Sequence, residues 1–120
     1  MPSSYIPPEP VARAAARGLE LRKGLPPSRQ CCTSVGLRRA AQLANRLPVS
    51  VATLTRMVSF FDRHSVDKLA ASWEDPRSKG RQAWLCWGGD PGRAWARRTL
   101  RELERSKFWM QKLRLHGLSD

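Results

Sequence analysis

Three cysteines and two histidines are the side chains of this sequence that could bind a metal ion or act as nucleophiles. Cys31 and Cys32 are adjacent, Cys86 lies far along the chain, and His64 and His116 follow no zinc-site spacing relative to them. The odd number of cysteines argues against a framework of disulfides, and neighbouring cysteines rarely bridge because the bond strains the backbone. The sequence therefore predicts no metal site and no bound cofactor, and it predicts Cys86 to be a small buried thiol.

No combination of nucleophile, acid and base points to an enzyme. His64 has Asp67 three residues later, but a histidine at a helix end is also favourable there when it is charged. The glycine-rich loop 88–92 carries Asp90, whose negative charge would oppose a phosphate, so a tight turn between helices is the preferred interpretation. No serine or cysteine lies in a recognisable nucleophile context. We expect a protein that is not an enzyme.

Arginine is the residue type that indicates a function most strongly. The chain has 22 lysines and arginines against 10 acidic residues, a formal net charge of +12. The planar arginine fork pairs with phosphate oxygens at two points, so nucleic acid is the first candidate partner, ahead of an anionic membrane or an acidic protein. The arginines expected to contact phosphates are Arg38, Arg39, Arg93, Arg97, Arg98, Arg101 and Arg105.

Residues 40–58 resemble the helix-turn-helix segment of DNA-binding regulators. Ala44 matches the small residue at the helix crossing, and Val49 matches the apolar residue that closes the turn. The resemblance implies that the helix after the turn enters the major groove of DNA. The residues that would then reach the DNA are Ser50, Thr55, Arg56 and Ser59. Pro48 stands where the pattern has glycine, and an ordinary helical hairpin with a capped second helix is the alternative interpretation.

The periodicity of apolar residues predicts an all-α fold that positions these side chains. No stretch alternates between apolar and polar residues, and β-branched residues are scarce. We expect a compact bundle of about five helices, with an extended Pro-rich arm over residues 1–8 and a single helical domain over residues 9–117. The helices are predicted over residues 9–23, 34–46, 51–64, 79–87 and 91–116. The last helix is long and basic.

Aromatic residues divide between the predicted core and a predicted protein interface. Trp84, Trp87 and Trp95 lie in a part of the chain that suits a small aromatic core. An aromatic pair on the charged last helix instead suits contact with another protein. The residues predicted at a protein interface are Tyr5 and Ile6 in the arm and Phe108 and Trp109 in the last helix.

Residues 8–96 also resemble a small module of tailed-phage and prophage proteins. Its most distinctive segments are Ser-Phe-Phe-Asp-Arg-His at 59–64, Val-Asp-Lys at 66–68 and Trp-Leu-Cys-Trp-Gly-Gly-Asp-Pro-Gly at 84–92. The resemblance implies a viral setting more than an activity. After Trp95 this chain departs from the module by adding a long basic helix, and it carries Cys31-Cys32 in a loop expected to be rich in glycine.

The sequence thus predicts a small basic phage-type protein that binds nucleic acid, with DNA favoured, by contacting phosphates through arginine-rich helices. The alternative is a structural protein of the virion, capsid-associated or lining the head, that acts by contacts with capsid or other virion proteins. A homo-oligomer is left open. No apolar run approaches the roughly 20 residues of a membrane span, and no signal peptide is evident at the N-terminus. We therefore expect the protein in the cytoplasm of the infected host, in the virion, or in both.

Overall fold

Hydroxyl side chains mark the start of three helices. In the computed structural model, which describes residues 4–117, the hydroxyl of Thr33 accepts a hydrogen bond from the N–H of Gly36 at 3.2 Å. Ser50 and Ser78 cap two further helices in the same way. Each bond satisfies one of the amides that the first turn of a helix leaves without an intrahelical partner.

The described residues form five α-helices, which confirms the predicted all-α bundle. The helices are α1 (Glu9–Lys23), α2 (Ser34–Ala44), α3 (Val51–His64), α4 (Lys79–Cys86) and α5 (Gly89–Leu115). Short 3₁₀ turns lie at Pro27–Arg29, Ser65–Leu69 and Ala71–Glu74, in segments that the sequence left outside the helices.

Four helix boundaries differ from the predicted ones, one of them only in that α5 ends at Leu115 rather than at residue 116. Helix α2 ends at Ala44 rather than residue 46, because Arg46 adopts a left-handed conformation (φ 52°) as the chain approaches a proline. Helix α4 ends at Cys86, one residue early. Helix α5 begins at Gly89, two residues early, directly after Gly88 reverses the chain at φ 109°, where an L side chain would be strained.

The described part of the N-terminal arm folds back onto the connection between α2 and α3. Strand β1 (Ser4–Tyr5) pairs antiparallel with strand β2 (Val49–Ser50). The Nε of Arg46 donates a hydrogen bond of 2.9 Å to the carbonyl of the buried Pro7. The arm is therefore held by its own chain. Its predicted residues 1–3 lie outside the described part of the chain.

The core forms where α1 packs against α2, α4 and α5, and α3 packs against α5. Phe61 and Trp84 meet edge to face with ring centroids 4.8 Å apart, and Phe60 stacks on Trp87 at the same distance. Trp84 is buried, as is Trp95, whereas Trp87 is only half-buried. Two of the three tryptophans assigned to the core are thus fully inside it.

Helix α5 extends beyond this core. Leu103 is its last buried residue, and residues 104–117 are exposed apart from the half-buried Ser106. At 1.5 Å per residue the exposed helical part is roughly 18 Å long, and the molecule measures 61 × 29 × 21 Å. Among the residues described, no helix combines the length and the apolar character needed to cross a membrane.

Helices α1 and α4 approach each other so closely that only glycine fits at position 18. A Cβ built on Gly18 would lie 2.7 Å from the backbone nitrogen of Cys86 and 2.9 Å from its Sγ. We predict that Gly18→Ala lowers the free energy of unfolding by about 1–3 kcal/mol, because the packed backbone must move.

Urea denaturation followed by circular dichroism measures this change. The control is Gly24→Ala at the end of α1, where the nearest atoms to a built Cβ are 3.9 Å away and φ is −81°. That variant should be neutral or about 0.5 kcal/mol more stable. Equal midpoints for the two variants would contradict the packing argument.

Candidate nucleic-acid interface

Arginines from two helices converge on one groove of the surface. Arg38 and Arg39 on α2 and Arg56 on α3 line a concavity of about 350 Å³, together with Val35 and Gln42. The α2 residues recur at helical spacing and share one face of that helix. The fold thus brings together three arginines that were predicted separately. Arg38 and Arg39 were expected to contact phosphates, and Arg56 was expected to reach DNA from the helix after the turn.

This groove has a strongly positive electrostatic environment. Burial lowers the pKa of the Arg39 guanidinium from its ordinary value, and the charges of Arg56 and Arg38 lower it further. Within residues 4–117 none of the three arginines forms an ion pair with an acidic side chain. Because the cations repel one another, an anion placed among them is stabilised.

Arg39 is held in place but not saturated with hydrogen bonds. Its Nη1 donates to Oε1 of Gln42, whose own amide nitrogen donates to the Pro48 carbonyl at 2.8 Å. Its guanidinium lies over the indole of Trp87, 5.7 Å from the ring centroid. Within the described part of the chain, its Nε is buried and has no hydrogen-bond partner. A buried donor without an acceptor is uncommon and leaves the Arg39 side chain incompletely satisfied.

The other residues predicted to reach DNA lie on the same helix as Arg56 or, for Ser50, at the cap before it, and their hydroxyl groups have different roles. The Ser50 hydroxyl is engaged as the cap of α3 and donates to Thr53 Oγ1 at 3.2 Å. The Thr55 hydroxyl donates to the Val51 carbonyl at 3.0 Å. Ser59 is exposed. Thr55 and Ser59 therefore share the outer face of α3 with Arg56, whereas the Ser50 hydroxyl caps the backbone at the start of α3.

Helix α5 adds a second group of arginines on the other flank of α3. Arg93 and Arg97 both approach Oδ1 of Asp62 on α3, with N···O distances of 3.6 Å and 2.7 Å. Arg97 and Arg101 line a shallow concavity with Val58 of α3. The outer face of α3 thus separates the two groups, Arg38, Arg39 and Arg56 on one side and Arg93, Arg97 and Arg101 on the other.

Arg98, Arg101 and Arg105 are all exposed on α5. No acidic side chain among the described residues pairs with any of them. Asp62 therefore neutralises part of the predicted set of α5 arginines, at Arg93 and Arg97, and leaves Arg98, Arg101 and Arg105 without an acidic partner within residues 4–117. Sequence spacing on α5 alone could not show this, because the carboxylate comes from another helix.

The residues predicted at a protein interface differ in exposure. Tyr5 is half-buried against the core, and its buried hydroxyl has no hydrogen-bond partner among the residues described, whereas Ile6 is 53% exposed. Phe108 and Trp109 are 58% and 55% exposed on the extended part of α5. Their rings lie edge to face, with centroids 6.1 Å apart. Phe108 and Trp109 are therefore exposed where a partner could contact them, whereas Tyr5 packs against the core of its own chain.

The structure corrects one prediction about cysteine. Adjacent cysteines were expected not to bridge, but Cys31 and Cys32 form a disulfide. The backbone accommodates it with Cys32 at φ 102°, a conformation that residues other than glycine rarely adopt. Hydrogen bonds from other elements hold the carbonyl and the amide of Cys31. The spacing of the cysteines could not predict this bridge, because the residues that support it, Arg22 and Gln82, are distant in the sequence.

Comparisons of the chain with protein-family models, with curated proteins and with solved structures found no match.

Proposed function

We propose that this chain is a small basic phage-type protein that binds nucleic acid, preferably DNA, through the backbone phosphates. The observation that carries the proposal is the convergence of Arg38, Arg39 and Arg56 on one groove, where they have no acidic partner among residues 4–117. Phosphate oxygens suit a set of fixed guanidinium donors, and phosphate contacts supply most of the affinity in non-specific binding. The resemblance of residues 8–96 to a phage module supports an infected cell or a virion as the setting.

Phosphate contact is better supported than reading of bases by a helix-turn-helix. Helices α2 and α3 are separated by the six residues 45–50, whereas the turn of that motif has about three or four. The start of α3 is also flanked by β1, which pairs with Val49 and Ser50. The helical hairpin with a capped second helix fits these features, and it presents Arg56 and Ser59 outward.

The groove can be tested by removing two positive charges from it. In Arg38→Gln/Arg56→Gln, Arg39 remains as the guanidinium that packs on Trp87. We expect affinity for labelled duplex DNA of random sequence to fall about tenfold at about 50 mM salt. The slope of log K against log salt should become shallower by about 1–2, because each phosphate contact contributes about 0.9.

The matched control is Arg13→Gln/Arg17→Gln on α1, which removes the same charge from exposed residues that do not line the groove. This variant should keep the wild-type slope to within about 0.5. Circular dichroism verifies that both variants fold. If the control loses as much affinity and slope as the groove variant, net charge alone explains binding and the groove is not the site.

Asp62 provides a test in which binding should improve. Asp62→Asn removes a carboxylate from the outer face of α3 and releases Arg93 and Arg97. We predict that affinity for the same duplex rises about two- to fivefold. This change corresponds to a binding free energy of about 0.5–1 kcal/mol, which is the usual contribution of an exposed ion pair. Glu20→Gln removes an exposed acid from α1 and should raise affinity less. An unchanged affinity for Asp62→Asn would place the DNA elsewhere.

A second candidate function is that of a virion structural protein, capsid-associated or lining the head. It is favoured by the extended part of α5, where large apolar side chains are exposed: Phe108, Trp109, Met110, Leu113 and Leu115. Residues 104–117 carry four basic residues and one acidic residue. Because two copies of this segment would repel each other, the partner that fits is a virion protein with an apolar groove and an acidic rim.

Incorporation into particles tests this second candidate. Mass spectrometry of purified virions should detect the wild-type chain at a fixed copy number per particle. Phe108→Ser/Trp109→Ser should remain folded, because both rings lie outside the core, and should be lost from particles. Arg13→Gln/Arg17→Gln serves as the control and should be incorporated normally. A double serine variant incorporated at the wild-type level would rule out the aromatic pair as the contact.

A further inference from the structure

The three cysteines of the chain meet at one point inside the bundle. Cys31 and Cys32 lie just before α2, and Cys86 is the last residue of α4. Their three Sγ atoms all lie within 4.8 Å of one another. Cys31 and Cys86 are 5% and 0% exposed, whereas Cys32 is half-buried. The cluster therefore has a buried side and a side that opens toward solvent.

Hydrogen bonds from two helices fix the backbone at this cluster. The side chain of Gln82, itself 0% exposed, accepts from the Cys31 N–H at 2.9 Å, and its amide nitrogen donates to the Arg29 and Arg77 carbonyls. The Nε of Arg22 donates to the Cys31 carbonyl at 2.7 Å. A buried glutamine and an arginine thus hold the loop in position opposite Cys86.

Helix α1 leaves space for the side chain of Cys86 because it has a glycine, Gly18, at the point of contact. Gly18 is the residue against which the Cys86 Sγ packs, and a Cβ there would come within 2.9 Å of the sulfur. The sulfurs are therefore placed by α1, α4 and the loop before α2 together. When the bond between Cys31 and Cys32 is opened, their two sulfurs move apart, and these supports keep the loop opposite Cys86.

We propose that the reduced chain binds one thiophilic metal ion, of the Zn²⁺ or Cd²⁺ class, through the sulfurs of Cys31, Cys32 and Cys86. Zinc–thiolate bonds of about 2.3 Å place the sulfurs of a site about 4 Å apart. The three Sγ atoms lie within 4.8 Å of one another, but those of Cys31 and Cys32 are bonded, so on reduction these two sulfurs separate while Cys86 needs only a small approach. A set of three sulfurs without a carboxylate selects soft ions over Mg²⁺ or Ca²⁺.

The charges around the cluster suit this ligand set. Three thiolates and one divalent ion leave a net charge of −1, which the Arg22 guanidinium beside the Cys31 carbonyl offsets. Burial raises the pKa of the Cys86 thiol to about 11, and the charge of Arg22 opposes that rise. A bound cation stabilises the buried thiolate directly, so metal binding should release protons and strengthen with pH.

A surface pocket supplies a route for the ion. It has a volume of about 280 Å³, and Cys32 lines it together with Thr33, Arg63, His64 and Trp87. The Nδ1 of His64 lies 3.2 Å from Oδ2 of Asp67. An ion can reach Cys32 from this pocket.

The metal site requires the bridge to be opened. A dithiol reductant supplies two electrons and two protons, the Cys31–Cys32 bond breaks into two thiols, and the reductant leaves as its own disulfide. The ion then displaces the protons of Cys31, Cys32 and Cys86 as three sulfur–metal bonds form. The oxidised chain retains only the Cys86 thiol and should not bind the ion.

Cadmium titration of the full chain tests the proposal. The chain is reduced with a dithiol, the reductant is removed under nitrogen, and Cd²⁺ is added while the sulfur-to-cadmium charge-transfer absorbance in the ultraviolet is recorded. We expect one Cd²⁺ per chain, confirmed by native mass spectrometry, and no binding to the chain with its bridge closed.

Two variants assign the ligands. Cys86→Ser and Cys32→Ser should each weaken binding by at least about tenfold, since loss of an outer-shell partner alone costs that much. Each should also lower the absorbance per bound ion by about a third. Cys32 is half-buried, so Cys32→Ser remains informative if Cys86→Ser fails to fold. Wild-type affinity in either folded variant, or no cadmium binding by the reduced wild type, would overturn the proposal.

Discussion

Two carboxylates determine which positive charges of this protein remain available. Asp90 at the start of α5 accepts from the Lys68 ammonium at 2.8 Å and from the Trp84 indole at 2.9 Å through one oxygen. The hydrogen bond from Lys68 is the main reason that the pKa of Asp90 is lowered. Asp62 receives Arg93 and Arg97 where α3 packs against α5. These two acids thus pair with cations of neighbouring elements, whereas Arg38, Arg39 and Arg56 have no acidic partner within residues 4–117 and are left to interact with an external anion.

Local rules account for what could be predicted from the sequence. Helical periodicity depends on residues three or four positions apart, and it indicated the five helices. Arg38 and Arg56 could be predicted to contact DNA because arginine pairs well with phosphate oxygens. Their convergence across two helices depends on how α2 and α3 pack, which periodicity does not specify.

Features that depend on distant residues could not be predicted. Strands β1 and β2 have two residues each, too few to show alternation. The bridge between Cys31 and Cys32 relies on Gln82, about fifty residues away, and the sulfur cluster relies on the space left by Gly18. Asp62 reaches Arg97 across 35 positions of sequence. In each case the decisive partner comes from another element of the bundle.

The most direct test of the central claim is to locate a DNA duplex on the folded chain by NMR. Amide and arginine Nε–H shifts of the labelled protein would be followed as a short duplex of random sequence is added at low salt. The account predicts the largest changes at Arg38, Arg39 and Arg56, including the buried Nε–H of Arg39, with smaller changes along the outer face of α3. Changes confined to residues 104–115, or to α1, would contradict a phosphate site between α2 and α3.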